Sequence, residues 1–201
     1  MHPAPIFLET DQALLLERVG DWPFALVVAV HEGRPRAVHT PVLAGADGSL
    51  RFHLAKSNPA ARGITESRHA LIVFSGPHDY ISPDWYGIDN QVPTWNYLSV
   101  EAEGPVSLGD HKAAEAFLGD LSGHFERGLA PKPAWTMEKM DRAALDRMIA
   151  AIQTFTLTPE RFEGITKISQ NKPEDVRQRA GQALKAANGD PTLASMMERQ
   201  T

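Results

Sequence analysis

The chain of 201 residues contains no cysteine. Disulfides, thiolate nucleophiles and cysteine-ligated metals are therefore excluded, and the absence fits a reducing compartment. No apolar run approaches the length of a bilayer crossing, and the start MHPAPIFLETD has no cationic segment followed by an apolar one. A cytoplasmic location is expected. Positive charge is not in excess, since the net charge is -5. That balance speaks against a surface holding nucleic acid broadly through its phosphates, although a local basic patch remains compatible with it. HExxH, G-x-S-x-G, the P-loop and G-x-G-x-x-G are all missing, which removes the common zinc-hydrolase, serine-hydrolase, nucleotide-loop and Rossmann readings. The eight histidines show no ligand spacing, so no metal site is expected.

Aromatics are scarce at 7%, yet the stretch His78 to Tyr97, HDYISPDWYGIDNQVPTWNY, holds two Trp, three Tyr and two Pro. Flat faces, fixed proline angles and a few polar groups suit a planar ligand or a wide packing surface. For Trp85, Tyr86, Trp95 and Tyr97 the sequence leaves both open. Its second part, VPTWNY, starts a strand that can face a ligand, whereas GPHDYISPDWY reads as a packed crossing loop, possible at a dimer contact.

The remaining chain has ordinary proportions, 42% hydrophobic and 22% charged, and suits one main soluble domain with a real core. Thr10 is positioned to cap a short helix to about Val19. Pro23 to Val30 and Arg36 to Leu43, separated by HEGRP, predict a hairpin, with Pro41 marking an edge, a bulge or a ligand-facing point. After an Asp47-Gly48 turn, Leu50, Phe52 and Leu54 alternate with Arg51, His53 and Ala55. Ala70 to Gly76 reads as a buried strand. Another begins at Thr94 and is expected to break at Gly104-Pro105, with Val106 to Leu108 open to resuming it. Helices are predicted from an Asp110 cap to about Phe125, from Met137 to about Ala151, and from Glu174 to Ala187, the last ended by Asn188-Gly189. IQTFTLT and Arg161 to Ser169 supply the final strands. Short strands joined mostly by turns favour an antiparallel barrel over a parallel sheet.

Two places concentrate polar chemistry. Asn58 before Pro59 makes a capped helix start just after Lys56, so backbone N–H groups and an ammonium meet where an anion or phosphate can bind, with Arg51 or Arg62 available to add charge. An ordinary capped helix accounts for the same residues. At the end of the last strand, Lys167 is followed by Ser169, Gln170 and Asn171. His39 and His53 lie on strands that can meet across the DG turn.

Taken in order, PFALVV, HTPVL, HLAKSNP, FSGPHDYISPDWY, VPTWNY and KISQNKP resemble the PaiB-like FMN-binding negative transcriptional regulators, a branch of the split-barrel flavoproteins. The resemblance spans about Pro23 to Pro173. It implies a mainly β (α+β) fold, a six-stranded antiparallel split β-barrel with flanking helices over residues 1–172 and a C-terminal helical tail over 173–201. It also implies a homodimer with FMN sites at the subunit interface. FMN contacts are implied at His39, Thr40, Pro41, His53, Ala55, Lys56, Asn58, Trp95, Asn96 and Tyr97, with Lys167, Ser169 and Gln170 reaching in from the second subunit. Where the family pattern runs NPQW, this chain has NPAAR. The resemblance leads to a transcriptional regulator, with DNA as its partner. A flavin-dependent oxidoreductase or flavin reductase acting on a small substrate is the rival reading; a haem-binding split barrel using His39 or His53 and a cofactor-free interaction protein are the others. No residue is assigned a catalytic role.

Overall fold

The computed structural model describes residues 3–199. Its chain forms two compact units, one taking the residues up to Arg18, Ser75–Val100 and those from Phe162, the other taking Val19–Phe74 and Glu101–Arg161. Among the described residues nine strands and six α-helices follow one another: β1 (Leu8–Glu9), α1 (Gln12–Asp21), β2 (Phe24–His31), β3 (Arg34–Pro41), β4 (Leu43–Ala44), β5 (Leu50–Ala55), α2 (Pro59–Ser67), β6 (His69–Ile81), β7 (Thr94–Leu108), α3 (His111–Arg127), α4 (Arg142–Ala150), β8 (Ile152–Leu157), β9 (Arg161–Lys167), α5 (Glu174–Ala186) and α6 (Pro191–Glu198). The sheet order is β3-β2-β6-β7-β8-β5-β4, and β9 pairs with β1 and β7. Pairings of β2 with β3 and β6, of β5 with β4 and β8, of β7 with β8 and of β1 with β9 are antiparallel. The mixed class, the antiparallel split-barrel sheet and the helical C-terminal segment are thus as the sequence predicts. Among the described residues there are nine strands against the expected six; two of the extra ones, β1 and β4, are only two residues long and carry no sequence signal of their own.

In the unit built on Val19–Phe74 and Glu101–Arg161, the hairpin β2–β3 turns at Glu32 and Gly33, both at positive φ (54° and 69°). A two-residue turn of this hand matches strand twist and fixes the register His31↔Arg34 through Phe24↔Pro41. The inward residues of β5 follow the predicted alternation, and Phe52 stacks on Phe155 of β8 with ring centroids 5.2 Å apart. Helix α2 lies hard on β2: a Cβ at Gly63 would stand 2.4 Å from the Val30 carbonyl oxygen. Asp110 and Asp141 cap α3 and α4 by accepting from Ala113 N and Ala144 N at 2.8 and 2.9 Å. The second of these helices therefore starts at Arg142, not Met137; residues 137–139 form a single 3-10 turn. Strand β7 does not break at Gly104-Pro105. Burial alternates through Ala102, Gly104 and Val106, and only a glycine leaves room for the Thr158 carbonyl, which a Cβ would meet at 2.2 Å.

The other unit corrects three expectations. Asp11, not Thr10, caps α1, accepting from the backbone N–H groups of Ala13 and Leu14. His78 to Ile81, read as loop, continues β6 with its burial shifted by one residue: Ala70, Ile72, Phe74 and Gly76 are buried on alternate positions, whereas beyond Pro77 it is His78 and Tyr80 that are exposed and Ile81 that is buried. Helix α6 has no counterpart in the sequence reading; Asp190 caps it at Leu193 N (2.8 Å) with Pro191 in its first turn. It packs on α5, where Gly181 admits Met197 and Ala194.

Candidate functional site

The residues singled out by sequence separate into two groups, one in each unit. In the unit containing β3, β5 and α2, the exposed His39 ring stacks on Phe24 at 5.5 Å with 20° between planes. Thr40, buried, donates its hydroxyl to the His53 carbonyl at 2.9 Å. Pro41 ends β3 opposite Phe24, and β3 is the edge strand of the sheet order. His53 lies on the outward side of β5 with its ring 5.9 Å from that of Phe117. Burial pushes its imidazole below the ordinary histidine range, and its Nδ1 is buried without a hydrogen-bond partner. A neutral ring with one unanswered nitrogen results.

Ala55 closes β5, and Lys56 follows it, anchored by its N–H to the Ala151 carbonyl at 2.9 Å. Its side chain borders a cavity of about 280 Å³ shared with Arg62, Thr65, Glu66 and Gln153, where the Glu66 carboxylate lies 3.2 Å from His31 Nδ1. Asn58 caps α2 as predicted, its Oδ1 accepting from Ala60 N at 2.9 Å. Its carboxamide oxygen is thereby committed to the helix. Of the two arginines considered as helpers, Arg51 is engaged by Asp120 at 2.9 Å and lies over the Phe117 ring; Arg62 is the one that joins Lys56. The NPAAR sequence also has a packing reason: Ala60 and Ala61 are 0% and 2% exposed, so larger residues there would have to displace the core.

In the unit containing β9, the second group forms around Asn96. This side chain is 0% exposed, and its Nδ2 donates to Ser169 Oγ at 2.9 Å and lies 3.4 Å from Met197 Sδ. Tyr86 OH shares the same Ser169 hydroxyl at 2.9 Å. Ser169 itself sits at φ 63°, a conformation that non-glycine residues rarely adopt. Lys167 Nζ donates to Thr94 Oγ1 at 2.7 Å and lies 5.9 Å from the Phe7 ring centroid; burial lowers its pKa. Gln170 is engaged within the chain: its Oε1 accepts from Ile168 N at 2.9 Å and its Nε2 donates to the Ile6 and Thr166 carbonyls. Trp95 is 54% exposed, edge-on to Tyr80 and 6.3 Å from the His78 ring, and Tyr97 is half-buried beside it in β7. Asn96, Lys167 and Ser169 instead line a cavity of about 370 Å³. Sequence reasoning missed Phe7, Thr94 and Lys172, which share it. The available signal was Asn96 itself, a carboxamide in step with Leu98, Val100 and Ala102 on the inward face of an alternating strand.

The comparisons with known proteins agree with this architecture. A solved structure of an FAD and heme binding protein from Mycobacterium smegmatis superposes with a TM-score of 0.61 at 18% identity, over 91% of this chain and 80% of that one. The flavocytochrome Anf3 from Azotobacter vinelandii gives 0.64 at 14%, over 83% and 72%. At these identities the likeness shows the fold. The chain has the split-barrel fold. Its family is shown by sequence: the model described as "Putative FMN-binding domain" matches residues 1–161. The protease synthase and sporulation protein PAI 2 of Bacillus subtilis (strain 168) is 30% identical over 177 residues, 87% of this chain and 84% of that protein. The protein belongs to this PaiB-like FMN-binding family.

Proposed function

We propose that this protein holds FMN on β3, β5 and the start of α2 and works as a flavin-dependent oxidoreductase or flavin reductase on a small substrate. The observation that carries the reading is the pairing of Lys56 and Arg62 on one cavity beside the Asn58-capped start of α2. Two cations with helix N–H groups suit a phosphomonoester. The unanswered Nδ1 of His53 fits a polar ligand edge as well. Bound FMN would supply one- and two-electron transfer through its ring system. The chain's part is to fix the phosphate, position the ring and limit access of water. His39, Thr40, Pro41 and Ala55 belong to the same reading as residues of the adjoining strands. So do a homodimer, a cofactor-bearing segment of residues 1–172 with a tail of 173–201, and residence in the cytoplasm; among the described residues no helix is long and apolar enough to cross a membrane.

The test is the visible spectrum of protein purified without added ligand, mass analysis of whatever denaturation releases, and FMN titration of the stripped protein. FMN should bind saturably, and Lys56→Ala should weaken it by roughly 10- to 100-fold, the loss of one charge-assisted contact. NADH or NADPH should bleach the bound flavin and an acceptor restore it; an inert flavin would exclude the oxidoreductase. A released haem, with a spectrum abolished by His39→Ala or His53→Ala, would favour haem instead. Direct regulation through DNA has thinner support, since the net charge is -5. A salt-sensitive gel shift would revive it.

A further inference from the structure

The cavity around Asn96 is not needed to hold a phosphate at α2, and its chemistry is its own. Asn96 is fully buried, yet its Oδ1 has no hydrogen-bond partner, while its Nδ2 is already used by Ser169. A buried carboxamide oxygen left unanswered is costly, on the order of 1–3 kcal/mol. Its natural complement is a ligand N–H or O–H. Two ammonium groups, those of Lys167 and Lys172, line the same space. Each makes one hydrogen bond, Lys167 to Thr94 and Lys172 to Gln91, so each keeps donors free. Neither meets a carboxylate within ion-pair distance among the described residues, and no acidic residue lines the cavity. The Phe7 and Tyr86 rings form apolar walls beneath these cations, at 5.9 Å from Lys167 Nζ and 5.4 Å from Lys172 Nζ.

From this geometry we infer that the cavity of about 370 Å³ binds a small aromatic carboxylate bearing a hydroxyl or amino group. The carboxylate meets Lys167 and Lys172, the ring lies against Phe7 and Tyr86, and the ring substituent donates to Asn96 Oδ1. Neutral ligands leave two cations unanswered, and ligands without a donor leave the buried oxygen so. The lowered pKa of Lys167 agrees with an ammonium held partly away from water, where an anion is bound more strongly. The inference does not depend on FMN.

The experiment is calorimetric titration of the full chain, with and without saturating FMN, using 4-hydroxybenzoate, benzoate and 4-hydroxybenzamide as probes. 4-Hydroxybenzoate should bind saturably in both states. Benzoate should bind about 5- to 20-fold more weakly for want of a donor, and the neutral amide at least about tenfold more weakly for want of charge. Lys172→Met, at a side chain on the cavity rim, and Asn96→Asp, which keeps size but adds like charge to the ligand's, should each cut affinity about tenfold or more. Circular dichroism and thermal unfolding would establish that these variants fold; Lys172→Met alone decides the matter if Asn96→Asp does not. Absence of saturable binding at about 10 mM 4-hydroxybenzoate overturns the inference. So does equal affinity in Lys172→Met, or loss of binding when FMN is added, which would make the cavity part of the flavin site. Failure of FMN to bind anywhere, with 4-hydroxybenzoate still bound, would leave this site standing and sink only the flavin reading.

Discussion

Thr40 and His53 stand near opposite ends of the sheet order, on β3 and β5, and are joined by a hydrogen bond of 2.9 Å from the Thr40 hydroxyl to the His53 carbonyl. The hydroxyl is buried. Thr40→Val keeps the shape but strands the carbonyl, and should cost about 1–3 kcal/mol. Thr40→Ser should recover most of it. Urea unfolding of the three proteins checks this; equal midpoints would show that the bond contributes nothing.

Gly63 offers a sharper test of how α2 is placed. Because an added Cβ would meet the Val30 carbonyl carbon and oxygen at 2.9 and 2.4 Å, Gly63→Ala has to lift the helix from β2. The expected loss is about 1–3 kcal/mol, against the gain of several tenths that alanine brings to an unobstructed helix. A more stable variant would mean that α2 does not pack so closely.

Arg68 caps the same helix from the left-handed region, φ 56°, donating its N–H to the Ile64 carbonyl. Glycine adopts this conformation without the side-chain penalty. Arg68→Gly should therefore stabilise the protein by roughly 0.5–1 kcal/mol. A thermal midpoint that falls instead would assign the Arg68 side chain a role in packing.

The depressed pKa of His53 sets a pH dependence with a definite sign. Its ordinary value is 6.5 and burial lowers it, so between these the unfolded chain binds a proton that the folded chain does not. Stability must fall as the pH drops through about 6.5 and level off only below the folded value. Carboxylates held low by basic partners, such as Glu103 beside Arg161, add a loss of the same sign at lower pH. The informative quantity is therefore the difference between wild type and His53→Gln, which should shrink from about pH 7.5 to about pH 5.5 if the wild type alone is losing this contribution. Parallel curves would mean that His53 titrates normally.

What sequence reveals here is governed by locality. The β2–β3 hairpin, the alternation of β5 and the Asn58 cap are written in neighbouring residues, and each is found as expected. Helix α6 was missed although Asp190 and Pro191 announce it, because a short apolar octet after Asn188-Gly189 has too little periodicity to read. The continuation of β7 through Gly104-Pro105 depends on the Thr158 carbonyl, 54 positions away, and no local rule contains it. The candidate residues show the same division. Lys56, Asn58 and Arg62 are close in sequence and could be grouped by reading. Asn96, Ser169 and Tyr86 meet only after 73 and 83 positions of chain have been folded back, so their shared hydrogen bonds were invisible.

The prolines of β3 carry one further consequence. Pro35 and Pro41 are six positions apart, so they face the same way along the edge strand of the sheet order. Neither has an N–H to give. A strand from another molecule laid along this rim would find two gaps where donors should be, and its own carbonyls would go unmatched. The edge is thus a poorer template for strand addition at these two positions than an unbroken strand would be.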